Sequence, residues 1–317
     1  MKTLINFLGI SFEIGQSKTG LDNSTKTCRK YFHYLKEQGI DIIDHGDIQN
    51  PNINEKLKIH SDSDLKSIEW NKYEAAYSIA SEIMNSDYPL LNWGGDHSIA
   101  LATVGAFTAK NPEGFVLWID AHADLNLPEQ SLSGNLHGMP LAVLLNLNGI
   151  RTKYFKWIES SLKPEKLIYI GLRDVDPFEK NIIDSLGIKA YSYSEIQKRG
   201  MTVIAKEIHA MTKGNPIHAS FDIDSVDPKF APSTGVPVKS GLTPNDLDIL
   251  GEELLKKSDV RSMDIVEVNP ELGNSNQVER TFFIAFNFLK SVFNNNYPGD
   301  NHDGIGERDS REQFTQI

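Results

Sequence analysis

Residues 120–124 read Asp-Ala-His-Ala-Asp and follow directly on the apolar run FVLWI (115–119), so two carboxylates and an imidazole crowd the end of a strand that should be buried. Unpaired buried carboxylates are costly. Alternate residues of an extended chain point the same way, so Asp120, His122 and Asp124 can converge. The arrangement recurs: GGDHS (94–98) follows PLLNW, DIDSVDP (222–228) follows IHASF, and EVNP (267–270) follows RSMDIV. His97, Asp120, His122, Asp124, Asp222 and Asp224, on three neighbouring strand ends, are enough to cage two divalent cations. Oxygen-rich ligation with imidazole suits Mn²⁺ or a neighbouring transition metal. Two such ions ~3.5–4 Å apart bring the pKa of a shared water towards neutrality. A lone D-x-H-x-D is more often a loop accident, and Asp96 by itself reads as a cap. It is the three motifs together, each behind an apolar strand, that carry the chemistry.

The elements that must position these residues are legible as runs. Continuous apolar stretches occur at 4–10, 40–46, 89–93, 115–119, 166–172, 188–193, 217–223 and 261–268, the pattern of strands buried on both faces of a parallel sheet. Helical patterns alternate with them. Cys28, Tyr31, Phe32 and Leu35 share one face of a helix over 25–38, with Gly39 as its stop, and Tyr73, Ala76, Ile79, Ala80 and Ile83 share a face over 73–84. Thr243-Pro244 opens a third helix through Leu247, Leu250 and Leu254. Strand–helix alternation predicts one doubly wound α/β domain over 1–295, followed by a polar tail at 296–317.

Composition agrees. The 317 residues are 39% hydrophobic and 24% charged, and the net charge of −11 argues against a nucleic-acid or anionic-membrane binder while suiting a cationic substrate. Cys28 is the only cysteine, which excludes an intrachain disulfide and, with no leader pattern, points to a reducing cytoplasm.

With GGDHS, DAHAD and SFDIDSVDP in this order, GISFEIGQSKTGLDNS near the start and VEVNPELG near the end, the chain resembles the ureohydrolases, and within them arginase, over essentially its whole length. The resemblance implies a three-layer α/β/α fold around a mostly parallel sheet of about eight strands and a binuclear manganese centre, with Co²⁺ or another divalent ion as alternatives. His97, Asp120, Asp124 and Asp222 would hold one Mn²⁺, and Asp120, His122, Asp222 and Asp224 the other, with Asp120 and Asp222 bridging. A metal-bridging hydroxide would cleave L-arginine to L-ornithine and urea. Asp124 would take the proton of the nucleophile, His137 would shuttle a proton to the leaving amine or take part in substrate binding, and Glu267 would face the guanidinium.

The metal motifs are shared by arginases, agmatinases and other guanidino-acid ureohydrolases, so specificity rests elsewhere. LNLPEQSLSGNLHGMP (125–140) resembles the arginase segment in which Asn126, Ser131, Ser133 and Asn135 meet an α-carboxylate, and GLRDVDPFE (171–179) adds Asp176 and Glu179 near an α-ammonium. Taken alone, that neutral cluster would be turn chemistry. One departure is Val236, where arginases commonly carry Thr. His33, His45, His60, His209, His218 and His302 read as ordinary structural histidines. An agmatinase, or a non-catalytic metal-binding relative, is the competing reading. Relatives form trimers or hexamers, so a homo-oligomer is expected.

Overall fold

The structure is a computed structural model that describes residues 3–49 and 56–294; the expected polar tail at 296–317 lies outside the described residues. Each apolar run forms a strand: β1 (Thr3–Ile10), β2 (Ile40–Ile48), β3 (Leu90–Gly94), β4 (Phe115–Ile119), β5 (Leu167–Leu172), β6 (Lys189–Ser192), β7 (Pro216–Asp222) and β8 (Asp259–Val266). They form one sheet in the order β2-β1-β3-β8-β7-β4-β5-β6, and every pairing is parallel. The continuous runs are explained by cover on both faces. In β4, Val116 and Trp118 enter one apolar cluster with Leu101 and Val104, while Leu117 and Ile119 enter a second with Leu250 and Phe286. This period of two on a sheet buried on both sides is a helix–sheet–helix sandwich.

Two local expectations shift. The 25–38 helix is split into Ser24–Cys28, a 3-10 turn at Arg29–Tyr31, and Phe32–Glu37, before Gly39 turns the chain at φ 80°. In the helix Asn71–Ile83, Tyr73, Ala76, Tyr77 and Ala80 are buried, whereas Ile79 is 38% exposed. Those four follow the i, i+3, i+4, i+7 spacing of a single face, and Ile79 lies off it. Thr243 caps the helix Pro244–Glu253: its hydroxyl accepts from Asp246 N, and the Asp246 carboxylate accepts from Thr243 N. Among the described residues no helix is long and apolar enough to cross a membrane.

Candidate metal centre and substrate cleft

In a parallel sheet the carboxyl ends of all strands face one side, and ligands sit there. The acidic motifs leave β3, β8, β7 and β4 on that side, in that spatial order. The three ends carrying the histidine and aspartate motifs are therefore not all neighbours. β8, which leads into Glu267, separates β3 from β7.

His97 opens the turn after β3, where Asp96 caps the 3-10 segment by accepting from Ser98 N at 3.0 Å and from Gly15 N at 2.7 Å. His97 Nδ1 lies 3.0 Å from Asp120 Oδ2, 3.1 Å from Asp124 Oδ2 and 3.2 Å from Asp222 Oδ2. It nevertheless makes no hydrogen bond to any of them and is a buried nitrogen without a partner. His122 Nδ1 lies 3.0 Å from Asp224 Oδ2 and 3.6 Å from Asp120 Oδ1. Two groups of ligand atoms result, His97–Asp120–Asp222 and Asp120–His122–Asp224, each with its atoms within 4.8 Å of one another. Asp120 belongs to both; Asp222 belongs only to the first.

The electrostatics are those of acids gathered without enough positive charge. Burial, then the neighbouring Asp120 carboxylate, pushes Asp124 up. Burial, then Asp224 and Asp120, pushes Asp222 well up, and burial raises Asp224 to about 6 even with His122 beside it. Burial also works against Asp120, but the His122 and His97 imidazoles beside it hold it below the usual carboxylate range. Both imidazoles are correspondingly pushed up: burial opposes their charge and the surrounding carboxylates overcome it. Cations placed among these atoms would take over from such protons, because metal binding to imidazole and carboxylate releases them. An orphaned, buried His97 Nδ1 facing three carboxylate oxygens fits a cation in that position.

Two of the acids adopt left-handed backbone, Asp124 at φ 49° and Glu267 at φ 63°. Such strain in non-glycine residues persists only where surrounding contacts enforce it and concentrates at functional sites. For Glu267 those contacts are clear. Its Oε1 accepts from His97 N at 3.0 Å and pairs with His137 Nδ1 at 3.0 Å, and its Oε2 accepts from Gln16 Nε2. His137 is thereby raised to about 9: burial works against the imidazolium, but the Glu267 hydrogen bond and charge outweigh it.

The 125–137 loop leaves this cluster at Asp124 and returns to it at His137, which pairs with Glu267. Asn126 Nδ2 donates to Asp176 Oδ2 at 2.9 Å, while Asn126 Oδ1 is buried without a partner. Asn135 reaches His137 Nε2 at 3.5 Å, and its Oδ1 accepts from Lys58 Nζ, which also donates to Ser133 O at 3.0 Å. Ser131 and Ser133 hold the turn, accepting from Gly134 N at 3.0 Å and Asn135 N at 3.2 Å. Glu179 accepts from Leu125 N at 2.9 Å and Asp176 N at 3.0 Å. Both of its oxygens thus hold backbone, and burial raises its carboxyl to about 7. Val236 is 40% exposed.

Several residues of the site escape motif reading. Gln16 lay inside the quoted GISFEIGQSKTG without a role. Trp118 stacks on the His97 ring with centroids 4.0 Å apart and donates from Nε1 to Asp120 Oδ2 at 3.0 Å. Arg173 donates to Asp224 O at 2.6 Å, Ser225 O at 2.9 Å and Val238 O at 2.9 Å, tying the loops after β5 and β7 together.

Comparison with known proteins bears on the same residues. The profile of the Arginase family matches residues 4–294. Human (Homo sapiens) Arginase-1 is 36% identical over 298 residues, covering 91% of this chain and 92% of that one. The arginase structure from Bacillus caldovelox superposes with a TM-score of 0.82 at 33% identity, covering 96% of this chain and all (100%) of that one. A hypothetical agmatinase from Burkholderia thailandensis shares the fold at 22% identity and a TM-score of 0.68, over 92% of this chain and 85% of that one. The chain is a hydrolase that belongs to the arginase family.

Proposed function

We propose that the protein hydrolyses L-arginine to L-ornithine and urea at a two-Mn²⁺ centre held by His97, Asp120, Asp124 and Asp222 on one side and Asp120, His122, Asp222 and Asp224 on the other. The observation that carries this reading is the continuity of the acid cluster with an amide-lined loop. Two residues after Asp124 stands Asn126, which gives one Nδ2 hydrogen to Asp176 and keeps the other for a carboxylate, while its buried Oδ1 can accept from an α-ammonium, and the loop returns through Asn135 to His137 against Glu267. Acids at one end and amides at the other suit a substrate with a guanidinium at one end and an amino-acid head at the other. The net charge of −11 favours its cationic end.

When bound, the two cations would supply hydroxide near neutral pH and stabilise charge on its oxygen during the attack. The chain's own groups do the rest. Glu267 faces the guanidinium, a cation that does not titrate away. Asp124 accepts the proton of the nucleophile and returns it to the departing nitrogen. His137, protonated beside Glu267, supplies a proton to the ornithine amine. Asn126, Ser133 and Asn135 meet the α-carboxylate, with the Lys58 ammonium adjoining them. Asp176 and Glu179 lie on the α-ammonium side, Asp176 by contact and Glu179 by fixing the backbone of Leu125 and Asp176.

The test is urea release from L-arginine, agmatine and a guanidino acid with Mn²⁺ added. Arginine hydrolysed well ahead of the other two supports the reading. Agmatine as the best substrate would replace it with the agmatinase reading.

A further inference from the structure

Four central strands carry one polar row. Asn92 on β3 is in register with Asp264 on β8, Asp264 with Ser220 on β7, and Ser220 with Trp118 on β4. Side chains in register on adjacent parallel strands share a face, and all four are fully buried (0%). At the centre is Asp264, a buried carboxylate between the apolar Met263 and Ile265 of β8. Its Oδ1 accepts from Asn92 Nδ2 at 2.8 Å and its Oδ2 from Thr103 Oγ1 at 2.7 Å. Ser220 Oγ donates to the same Oδ2 at 3.5 Å. His218 Nε2 approaches it at 3.1 Å, off the hydrogen-bonding direction.

The row ends under the metal centre. Ser220 Oγ lies 2.8 Å from His97 Nε2, and Trp118 both stacks on His97 and holds Asp120. Proton counting gives the chain of bonds a direction. A carboxylate is only an acceptor, and a serine hydroxyl has one proton to give. With that proton directed to Asp264, Ser220 can only accept from His97, so Nε2 carries a proton, and in the neutral imidazole that binds a cation Nδ1 is the lone pair. Nδ1 is the atom that faces Asp120, Asp124 and Asp222 without a hydrogen bond.

We propose that Asp264 is a positioning residue for the metal centre: acting through Ser220, it fixes the tautomer and orientation of His97 and so sets the affinity of the His97-side ion. The inference rests on the two-cation reading above. It also explains why a buried anion stands in a central strand, where hydrophobic residues of similar volume would serve packing alone.

The experiment is an equilibrium Mn²⁺-binding isotherm of the full chain, stripped and reloaded, for the wild type, Asp264→Asn, Ser220→Ala and Thr103→Val, together with the Tm of each stripped protein. Loss of a partner that orients a metal-bound histidine typically costs 10–100-fold in metal affinity. The expected result is therefore two ions in the wild type, with one of the two weakened by ~10–100-fold in Asp264→Asn and Ser220→Ala and the other unchanged. Thr103→Val removes a donor to Asp264 but leaves the His97 link, so it should lower Tm and leave the isotherm in place. Superimposed isotherms for wild type and Asp264→Asn would overturn the inference, as would equal weakening of both ions that tracks the fall in Tm across all three variants. A wild type that binds fewer than two ions would instead overturn the metal reading itself.

Discussion

Replacing L-arginine by agmatine deletes the α-carboxylate and nothing else at the guanidinium end, so the ratio of kcat/KM for the two substrates measures what the 125–137 loop contributes. The magnitude follows from burial. Asn126 is 8% exposed and gives only one of its two Nδ2 hydrogens to Asp176, so a carboxylate accepting the other replaces little water. A hydrogen bond to a charged group is worth about 1.5–3 kcal/mol under such conditions. Ser133 is exposed and Asn135 half-buried, so water substitutes for the missing carboxylate and each contributes about 0.5–1 kcal/mol. Lys58 is exposed and screened, and adds little. The sum, about 2.5–5 kcal/mol, is a preference for arginine of roughly 10² to a few times 10³-fold. Urea assays on both substrates read it directly. Asn126→Ala should cost arginine ~10-fold or more in kcat/KM and leave agmatine nearly unchanged, while Asn135→Ala should cost a few-fold. Agmatine within tenfold of arginine, or an Asn126→Ala loss shared equally by both substrates, would refute the assignment of this loop to a carboxylate.

The remaining predictions concern the metal centre and its neighbours. Chelation should abolish activity and Mn²⁺ restore it, with protons released on binding and affinity falling as pH drops through about 6, where Asp224 takes up its proton; stripped protein that remains fully active would dismiss the metal mechanism. Asp120→Ala should lose both ions and activity by several orders of magnitude, because Asp120 alone enters both ligand groups, whereas His97→Ala should be partly rescued by excess Mn²⁺; equal rescue of both would contradict the sharing. His137→Ala should keep its metal content while turnover falls ~10²-fold, and loss of bound metal would show the residue to be misplaced. In the stripped protein the His137–Glu267 pair should also leave a pH signature. The folded imidazole is raised from 6.5 to about 9, so its stabilisation is complete below about 6.5 and is lost as pH rises through 9. His137→Ala should therefore lower Tm more at pH ~6 than at pH ~9.5, and a Tm deficit independent of pH would refute the charged pair.

How far the sequence reached depends on whether the information is local. Each strand is announced by its own run, and alternation of strand and helix suffices for the sheet to be parallel, so Asp120, His122 and Asp124 could be placed at a strand end from five residues. The order β3-β8-β7-β4 is not local. Nothing in EVNP says that Glu267 stands between the His97 and Asp222 strands, close enough to hold His97 N and His137 together. Loop side chains are less legible, because Ser131 and Ser133 can serve a turn or a ligand with the same hydroxyl, and only geometry shows that both hold backbone N–H groups while keeping a proton to donate. Glu179 is the same case in an acid, with its two oxygens taken by Leu125 N and Asp176 N.

The polar row marks the limit of sequence reading most sharply, since Asn92, Ser220 and Asp264 lie on three different strands, each between two apolar neighbours. Singly, each reads as a tolerated exception. A lone buried acid is too expensive to be an exception, so the aspartate in SMDIV was a signal that the chain must supply partners for it from other strands. Register alone brings those partners together, Asn92 and Ser220 from either side. The same register puts Ser220 under His97 and Trp118 under Asp120. An interior that carries a carboxylate, its donors and the back of a metal-facing imidazole in one line is built for orientation as well as for packing. The ligands at the strand ends are then held in place before any cation arrives.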